Sequence, residues 1–251
     1  MNGFLNIQNL NKHFDGITAL DHFSVKIGQG EIVGLIGPNG AGKTTLFNVI
    51  TGFIRQDSGE ILFDQRKISN DPPHRIYTLG ITRTFQNLRL IRQMSVLENV
   101  LFSFPGQSGE KVHSLFLNRG KISKQEKDHR EMANALIEAS GLKNKSDHLA
   151  GDISYGQQKL LSLICCLASD PKILLLDEPV SGINPAKVEK IMELITGLPK
   201  KGKTVVLIEH NIDVVMKICH RVVFMDTGKK IREGTPEEVR NDPKVIEAYL
   251  D

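Results

Sequence analysis

The chain has 251 residues, 40% of them hydrophobic and 24% charged, a size and balance that suit one large globular domain with a sizeable core. Its 32 basic residues are nearly matched by 29 acidic ones, leaving a formal charge of +3. So even a balance argues against nucleic acid as a partner, and a disordered or membrane-spanning chain would need a different composition.

The opening "MNGFLNIQNLNKHFDG" has no basic segment followed by an apolar one, so no signal peptide is expected. The apolar run "LLSLICCLA" from Leu160 is far shorter than the ~20 residues that cross a bilayer. Any service to a membrane would therefore run through a partner, from the cytoplasmic face. Cys165, Cys166 and Cys219 form no CxxC pair and sit among apolar residues, as buried thiols of a reducing compartment do.

Along the first 30 residues "LNIQNL" and "FSVKI" alternate apolar and polar positions, predicting half-exposed antiparallel strands. "IVGLI" from Ile32, "KILLL" from Lys172 and "TVVLI" from Thr204 are continuous apolar runs instead, the pattern of parallel strands buried on both faces. Helical patterns lie between them. "KTTLFNVITGF" places Leu46, Phe47, Val49, Ile50 and Phe53 on one side. "SKQEKDHREMANALIEASG" opens on a capping box of Ser123 with Glu126 and stops at Gly141, with Met132, Ala135, Leu136 and Ala139 as the expected core stripe.

A helical span at about 88–150 would interrupt an otherwise α/β pattern. Residues 103–122 are its least readable part. Near the end, Asp226 to Gly228 reads as a hairpin turn, and a helix is expected from Thr235 and Pro236.

One stretch, "GLIGPNGAGKTTLFNVI" from Gly34, carries chemistry. It fits G-x-x-x-x-G-K-[ST] at Gly37, Gly42, Lys43 and Thr44, with an apolar strand before it and an amphipathic helix after it. Glycines let successive N–H groups curl toward anionic oxygens, and the helix start adds roughly half a positive charge. The candidate phosphate cradle is Gly37, Pro38, Asn39, Gly40, Ala41, Gly42, Lys43, Thr44 and Thr45. Lys43 suits the β- and γ-phosphates, and the Thr44 hydroxyl suits Mg²⁺.

"ILLLDEP" ends with Asp177 and Glu178 at the carboxyl end of a buried strand, where α/β sheets gather ligands. There Asp177 can hold Mg²⁺ through water while Glu178 accepts a proton from the attacking water. "LIEHNID" brings His210 to the same rim.

With the cradle, "ISYGQQKLLSLICCLA" from Ile153 resembles the ATP-binding subunits of ABC transporters, whose signature reads Leu-Ser-Gly-Gly-Gln. The resemblance runs end to end. It implies a P-loop NTPase (RecA-like) core with a mainly parallel sheet, an N-terminal antiparallel β subdomain and an inserted α-helical subdomain at about 88–150. The whole of 1–251 would form a single nucleotide-binding domain.

The resemblance also implies an ATPase that uses ATP and Mg²⁺. Phe14 would stack on adenine, and Gln86 in "RTFQNLRL" would sense Mg²⁺ or the attacking water at the hinge of the two lobes. His210 would be the switch histidine, and "SGINP" from Ser181 would cross to a partner chain. Two chains, identical or related, would clamp two ATP molecules head to tail, each cradle facing the other chain's Ser154, Gly156 and Gln157.

Tyr155 stands where the signature usually has glycine, and a positive φ there would strain it. Ile153 replaces the signature's leucine, and Asn184 stands where aspartate is frequent. "SYGQ", "RTFQNLRL", an insert near 103–122 and the ending "GTPEEVRNDPKVIEAYL" resemble branched-chain amino-acid importers, and related amide or urea importers.

Such a subunit would serve transmembrane permease subunits and, through them, a substrate-binding protein. Leu88, Leu90, Ile91 and Met94, interrupted by Arg89 and Arg92, are expected to line a groove for a permease helix. A lipid or lipopolysaccharide exporter's ATPase, a soluble ABC-type ATPase of DNA repair or ribosomes, and a nucleotide-binding regulator without turnover stay open as other readings.

Overall fold

The computed structural model describes residues 4–106 and 119–250. Two compact units emerge, one of residues 1–86, 172–181 and 195–251, the other of residues 87–171 and 182–194. The second takes in more of the chain than the expected 88–150 insert, because it continues through the signature stretch to residue 171.

The first unit holds two sheets. In the smaller, β1 (Leu5–Phe14) pairs antiparallel with β2 (Ile17–Ile27) and with β4 (Ser58–Phe63), and β5 (Arg66–Lys67) closes the edge. The expected alternation holds for Leu5 and Ile7, but the next buried residue is Leu10. A register shift after Ile7 explains the extra step: Asn9 takes φ +46° as a bulge and turns Leu10 inward.

The larger sheet has the order β10-β9-β3-β8-β7-β6. Here β3 (Ile32–Ile36), β7 (Ile173–Asp177) and β8 (Thr204–Ile208) run parallel and are buried at every position, as their unbroken apolar runs require. β6 (Ile81–Arg83) joins parallel to β7, β9 (Arg221–Asp226) parallel to β3, and β10 (Lys229–Gly234) folds back antiparallel on β9. The hairpin turns through Thr227 and Gly228, both with positive φ, where the sequence places it.

Helix α1 (Lys43–Ile50) fills the core of this unit with Leu46, Phe47, Val49 and Ile50. Ile7, Phe23 and Phe63 of the small sheet and Val33, Leu35, Ile173 and Leu175 of the large one belong to the same cluster. Phe53 does not share that face. It lies beyond the helix end, 48% exposed, with its ring edge-on to Phe85. A short helix, α2 (Pro73–Thr78), precedes β6.

The second unit is helical: α3 (Val96–Phe102), α4 (Arg119–Ala139), α5 (Tyr155–Ala168) and most of α6 (Pro185–Thr196). α3, α4 and α5 pack on one another, and Val96, Val100, Ala133, Ile137, Leu160, Leu161 and Ile164 on them are buried.

Two sequence expectations about α4 need correcting. Ser123 does not cap it, because the helix already runs from Arg119; propagation adds a hydrogen bond per residue and overrides a local capping signal. Its buried stripe is Ala133, Ile137 and Ser140, with Leu136 half-buried, while Met132 is 48% exposed. The i, i+4 row that faces α3 and α5 lies one residue later than apolarity alone suggests. Gly141 does stop the helix, at φ +74°. Most of the stretch near 103–122 lies outside the described residues.

In the first unit α7 (Ile212–Ile218), α8 (Pro236–Arg240) and α9 (Pro243–Leu250) complete the chain. Thr235 caps α8 with Pro236 at its first position, as expected. Among the described residues no helix is long and apolar enough to cross a membrane.

Candidate functional site

The glycine loop leaves β3 and enters α1. Two of its glycines are required sterically. At Gly37, φ is +149° and a Cβ would stand 1.9 Å from the Met225 carbonyl oxygen; at Gly42, φ is +97° and a Cβ would meet the Ala19 carbonyl oxygen at 2.2 Å. Close packing against β2 and β9 thus shapes the loop and aims α1. No side chain caps α1 and no acid lies in its first turn, so its leading N–H groups suit an anion.

Asn39, Gly40 and Thr44 are exposed, Pro38 and Thr45 half-buried, and Ala41 is buried. Lys43 is buried, and its Nζ donates to the carbonyl oxygens of Gly37 at 2.7 Å and Pro38 at 2.8 Å. Burial pushes its pKa down, while the negative charges of Glu178 and Asp177 act in the opposite sense.

Three strand ends supply the rim. Asp177 closes β7, and its N–H donates to Thr84 Oγ1 at 3.0 Å. Glu178 follows at φ +49°, a left-handed conformation that costs a non-glycine residue about 1 kcal/mol, and its N–H donates to the Ile208 carbonyl at 2.9 Å. This twist turns the Glu178 carboxylate to its neighbours: Oε1 lies 3.3 Å from His210 Nε2, and Oε2 accepts from Gln86 Nε2 at 3.5 Å. Glu178, His210 and Gln86, from three separate stretches, therefore meet at one carboxylate. Phe14 lies at the end of β1, 39% exposed, with Lys12 Nζ 5.1 Å from its ring centre.

The second unit places Ser154 at the N-cap of α5, where its N–H donates to Gln157 Oε1 at 3.0 Å. Tyr155 is the first helical residue and does not take positive φ, so the substitution there carries no backbone strain. Gly156 is buried; a Cβ on it would stand 2.8 Å from Lys187 Cδ. Lys187 Nζ donates to Ser154 Oγ at 2.7 Å.

Sequence reasoning missed several residues beside these. Arg83 donates to Asp177 Oδ2 at 2.6 Å and to Asn48 Oδ1 at 2.5 Å, which joins β7 to α1. Glu209 is buried beside His210. Nothing in a linear motif flags them, because their partners lie 94 and 35 residues from Arg83 and 29 residues from Glu209.

A glycine-rich strand-to-helix loop with a buried lysine, and two carboxylates at the end of a parallel strand, define a P-loop nucleotide-binding cassette. Comparison with known proteins agrees. A family described as "ABC transporter" matches residues 20–181, and one described as "Branched-chain amino acid ATP-binding cassette transporter" matches residues 229–250.

The chain is 39% identical, over 98% of its length and 95% of the relative's, to a protein of Archaeoglobus fulgidus described as a probable branched-chain amino acid transport ATP-binding protein LivG. A solved ATP-binding cassette of an ABC transporter in its ADP conformation is 36% identical and superposes with a TM-score of 0.84, covering 98% of each chain. Another, solved as a dimer after hydrolysis with ADP and Pi, is 29% identical, with a TM-score of 0.76 over 92% of this chain and 98% of that one. The chain belongs to the ABC transporter family, as a nucleotide-binding ATPase subunit.

Proposed function

We propose that this ATPase drives an importer of branched-chain amino acids from the cytoplasmic face of a membrane, paired with a second cassette and seated on transmembrane permease subunits fed by a substrate-binding protein. The observation that carries the hydrolytic part is the meeting of His210 and Gln86 on the Glu178 carboxylate. The match at 229–250 and the relative's description support the solute class. A lipid exporter's ATPase would share the core, and the permease that co-purifies with the chain separates the two readings.

In this reading the cradle from Gly37 to Thr45 binds the triphosphate through backbone N–H groups, and Lys43 turns from its loop carbonyls to the β- and γ-phosphates. Phe14 stacks on the adenine. Glu178 accepts the proton of the attacking water as the bond to the leaving β-phosphate oxygen breaks; His210 and Gln86 orient water and phosphate.

The residues fit Mg²⁺. Thr44, Gln86 and Asp177 offer oxygen donors, and no group of three or more His, Cys, Asp or Glu among the described residues forms a cage of its own. Mg²⁺ is commonly held this way, by few protein oxygens with waters and substrate phosphates completing the shell. When bound, it neutralises charge on the phosphates.

Ser154, Gly156 and Gln157 serve the other chain's ATP. The N-terminus of α5 and Lys187 beside it make that end positive. Leu88, Leu90, Ile91 and Met94 are half-buried and Arg89 and Arg92 exposed, which suits a seat for a short permease helix. Glu178→Gln tests the reading: turnover in the purified complex should stop while ATP binding persists and traps a dimer. Surviving turnover would remove Glu178 from the role of base. Uptake of labelled leucine into proteoliposomes, with permeases captured on the tagged chain, tests the solute.

A further inference from the structure

The strongest unassigned feature is a buried carboxylate. Glu209 is 1% exposed, and both of its oxygens are engaged by backbone. Oε1 accepts from the Val180 N–H at 2.8 Å, and Oε2 from the His210 N–H at 3.2 Å. Its charge reaches Cys219, whose thiol is pushed up to about 12, by burial first and by Glu209 second. Burying an acid is costly, and a neutral side chain of similar shape would fill the space more cheaply unless its two acceptors were needed.

Its bonds show what they hold. Val180 lies two residues beyond Glu178, and His210 is the residue that meets the Glu178 carboxylate. The preceding residue of the same stretch, Ile208, accepts the Glu178 N–H at 2.9 Å. Consecutive residues at the end of β8 therefore grip the Glu178 segment on both sides: Ile208 by its carbonyl, Glu209 by its side chain. Glu178 sits between these anchors at φ +49°, a conformation that needs outside restraint to persist.

We infer that Glu209 is a positioning residue for hydrolysis: its carboxylate clips the segment after Glu178 to the backbone of His210, so that base and histidine are presented as one unit. The inference rests on the proposed roles of Glu178 and His210. A glutamine in its place would keep the volume but offer one acceptor and an amino group. One of the two N–H groups would then face another donor. Relaxation of the segment by a fraction of an ångström would misplace Glu178 without disturbing the cradle.

The test is Glu209→Gln in the full chain. Expected are a fall in kcat on the order of 10- to 100-fold, with the KM for ATP and the affinity for a fluorescent ADP analogue within about twofold of wild type. Under single-turnover conditions, Glu209→Gln combined with Glu178→Gln should be no slower than Glu178→Gln alone, because Glu209 acts by placing that carboxylate. Glu209→Asp, which keeps two oxygens on a shorter stem, should fall between and serves if the glutamine variant does not fold.

An unchanged kcat, a parallel loss of ADP affinity, or multiplying effects in the double variant would overturn the inference. Glu178→Gln run alongside separates the two failures. If it still turns over, the base assignment has failed; if it is inert while Glu209→Gln runs at the wild-type rate, only the clip has failed.

Discussion

Arg83 donates to Asp177 Oδ2 at 2.6 Å with the two side chains only 4% and 2% exposed. A buried pair of this kind is stable only as a pair: removing one member leaves a desolvated charge and costs about 3–5 kcal/mol. Arg83→Met should therefore lower the unfolding free energy by about 3 kcal/mol in urea titrations. Adding Asp177→Asn should recover part of that loss, since the orphaned charge goes with it. A double variant that is worse than the single one would show that Arg83 acts through Asn48 and its ring contacts with Phe47 and Phe85 instead.

Lys43→Ala removes the only full charge in the cradle loop between Gly37 and Thr45. Charged hydrogen bonds contribute roughly 1.5–3 kcal/mol each, so losing two or more to phosphate should weaken ATP binding by about 100-fold or more. Equilibrium binding of a fluorescent ATP analogue measures this. Micromolar affinity in the variant would count against the cradle.

Ser154→Arg places a long side chain at the N-cap of α5 and displaces the bond from Lys187. The monomer should bind ATP as wild type does, because the cradle lies elsewhere in the chain. ATP-driven dimerisation in the Glu178→Gln background, followed by sedimentation, should be lost. If nucleotide affinity of the monomer drops instead, Ser154 does not act on a partner's phosphate.

Asp57 supplies a pH signature outside the site. Lys12 at 2.7 Å, the His13 N–H at 2.6 Å and the His13 ring at 3.0 Å together lower its carboxyl from 3.8 to about 2. A depressed acid stabilises the fold above its unfolded pKa, and that contribution fades as pH falls through the folded value. Asp57→Asn should therefore melt below wild type at pH 5 and above, with the gap narrowing between about pH 4 and pH 2. A gap that is flat through that window would show that the carboxyl charge is not what holds the Lys12–His13 end of β1.

The glycine loop and the central strands were legible because their signals are local. Gly37 to Thr44 is one short run, and β3, β7 and β8 each announce themselves by unbroken apolar residues. The face of α4 was not, since Met132 is as apolar as a core residue and only the neighbouring helices decide that Ala133 turns inward. Phe53 misled in the same way. The strands β4 and β6 are short or mixed, and owe their existence to pairing with β1 and β7. Arg83, Glu209 and Lys187 look like ordinary surface charges in the sequence; what makes them matter lies dozens of residues away.

The Lys43 ammonium, hydrogen-bonded to the carbonyls of Gly37 and Pro38, sets a toll on every arrival. A phosphate that recruits this amine replaces two good bonds instead of rescuing a stranded cation, so part of the gross attraction is cancelled at the door. If the cradle holds phosphate as proposed, the same carbonyls would take the amine back when the spent diphosphate leaves.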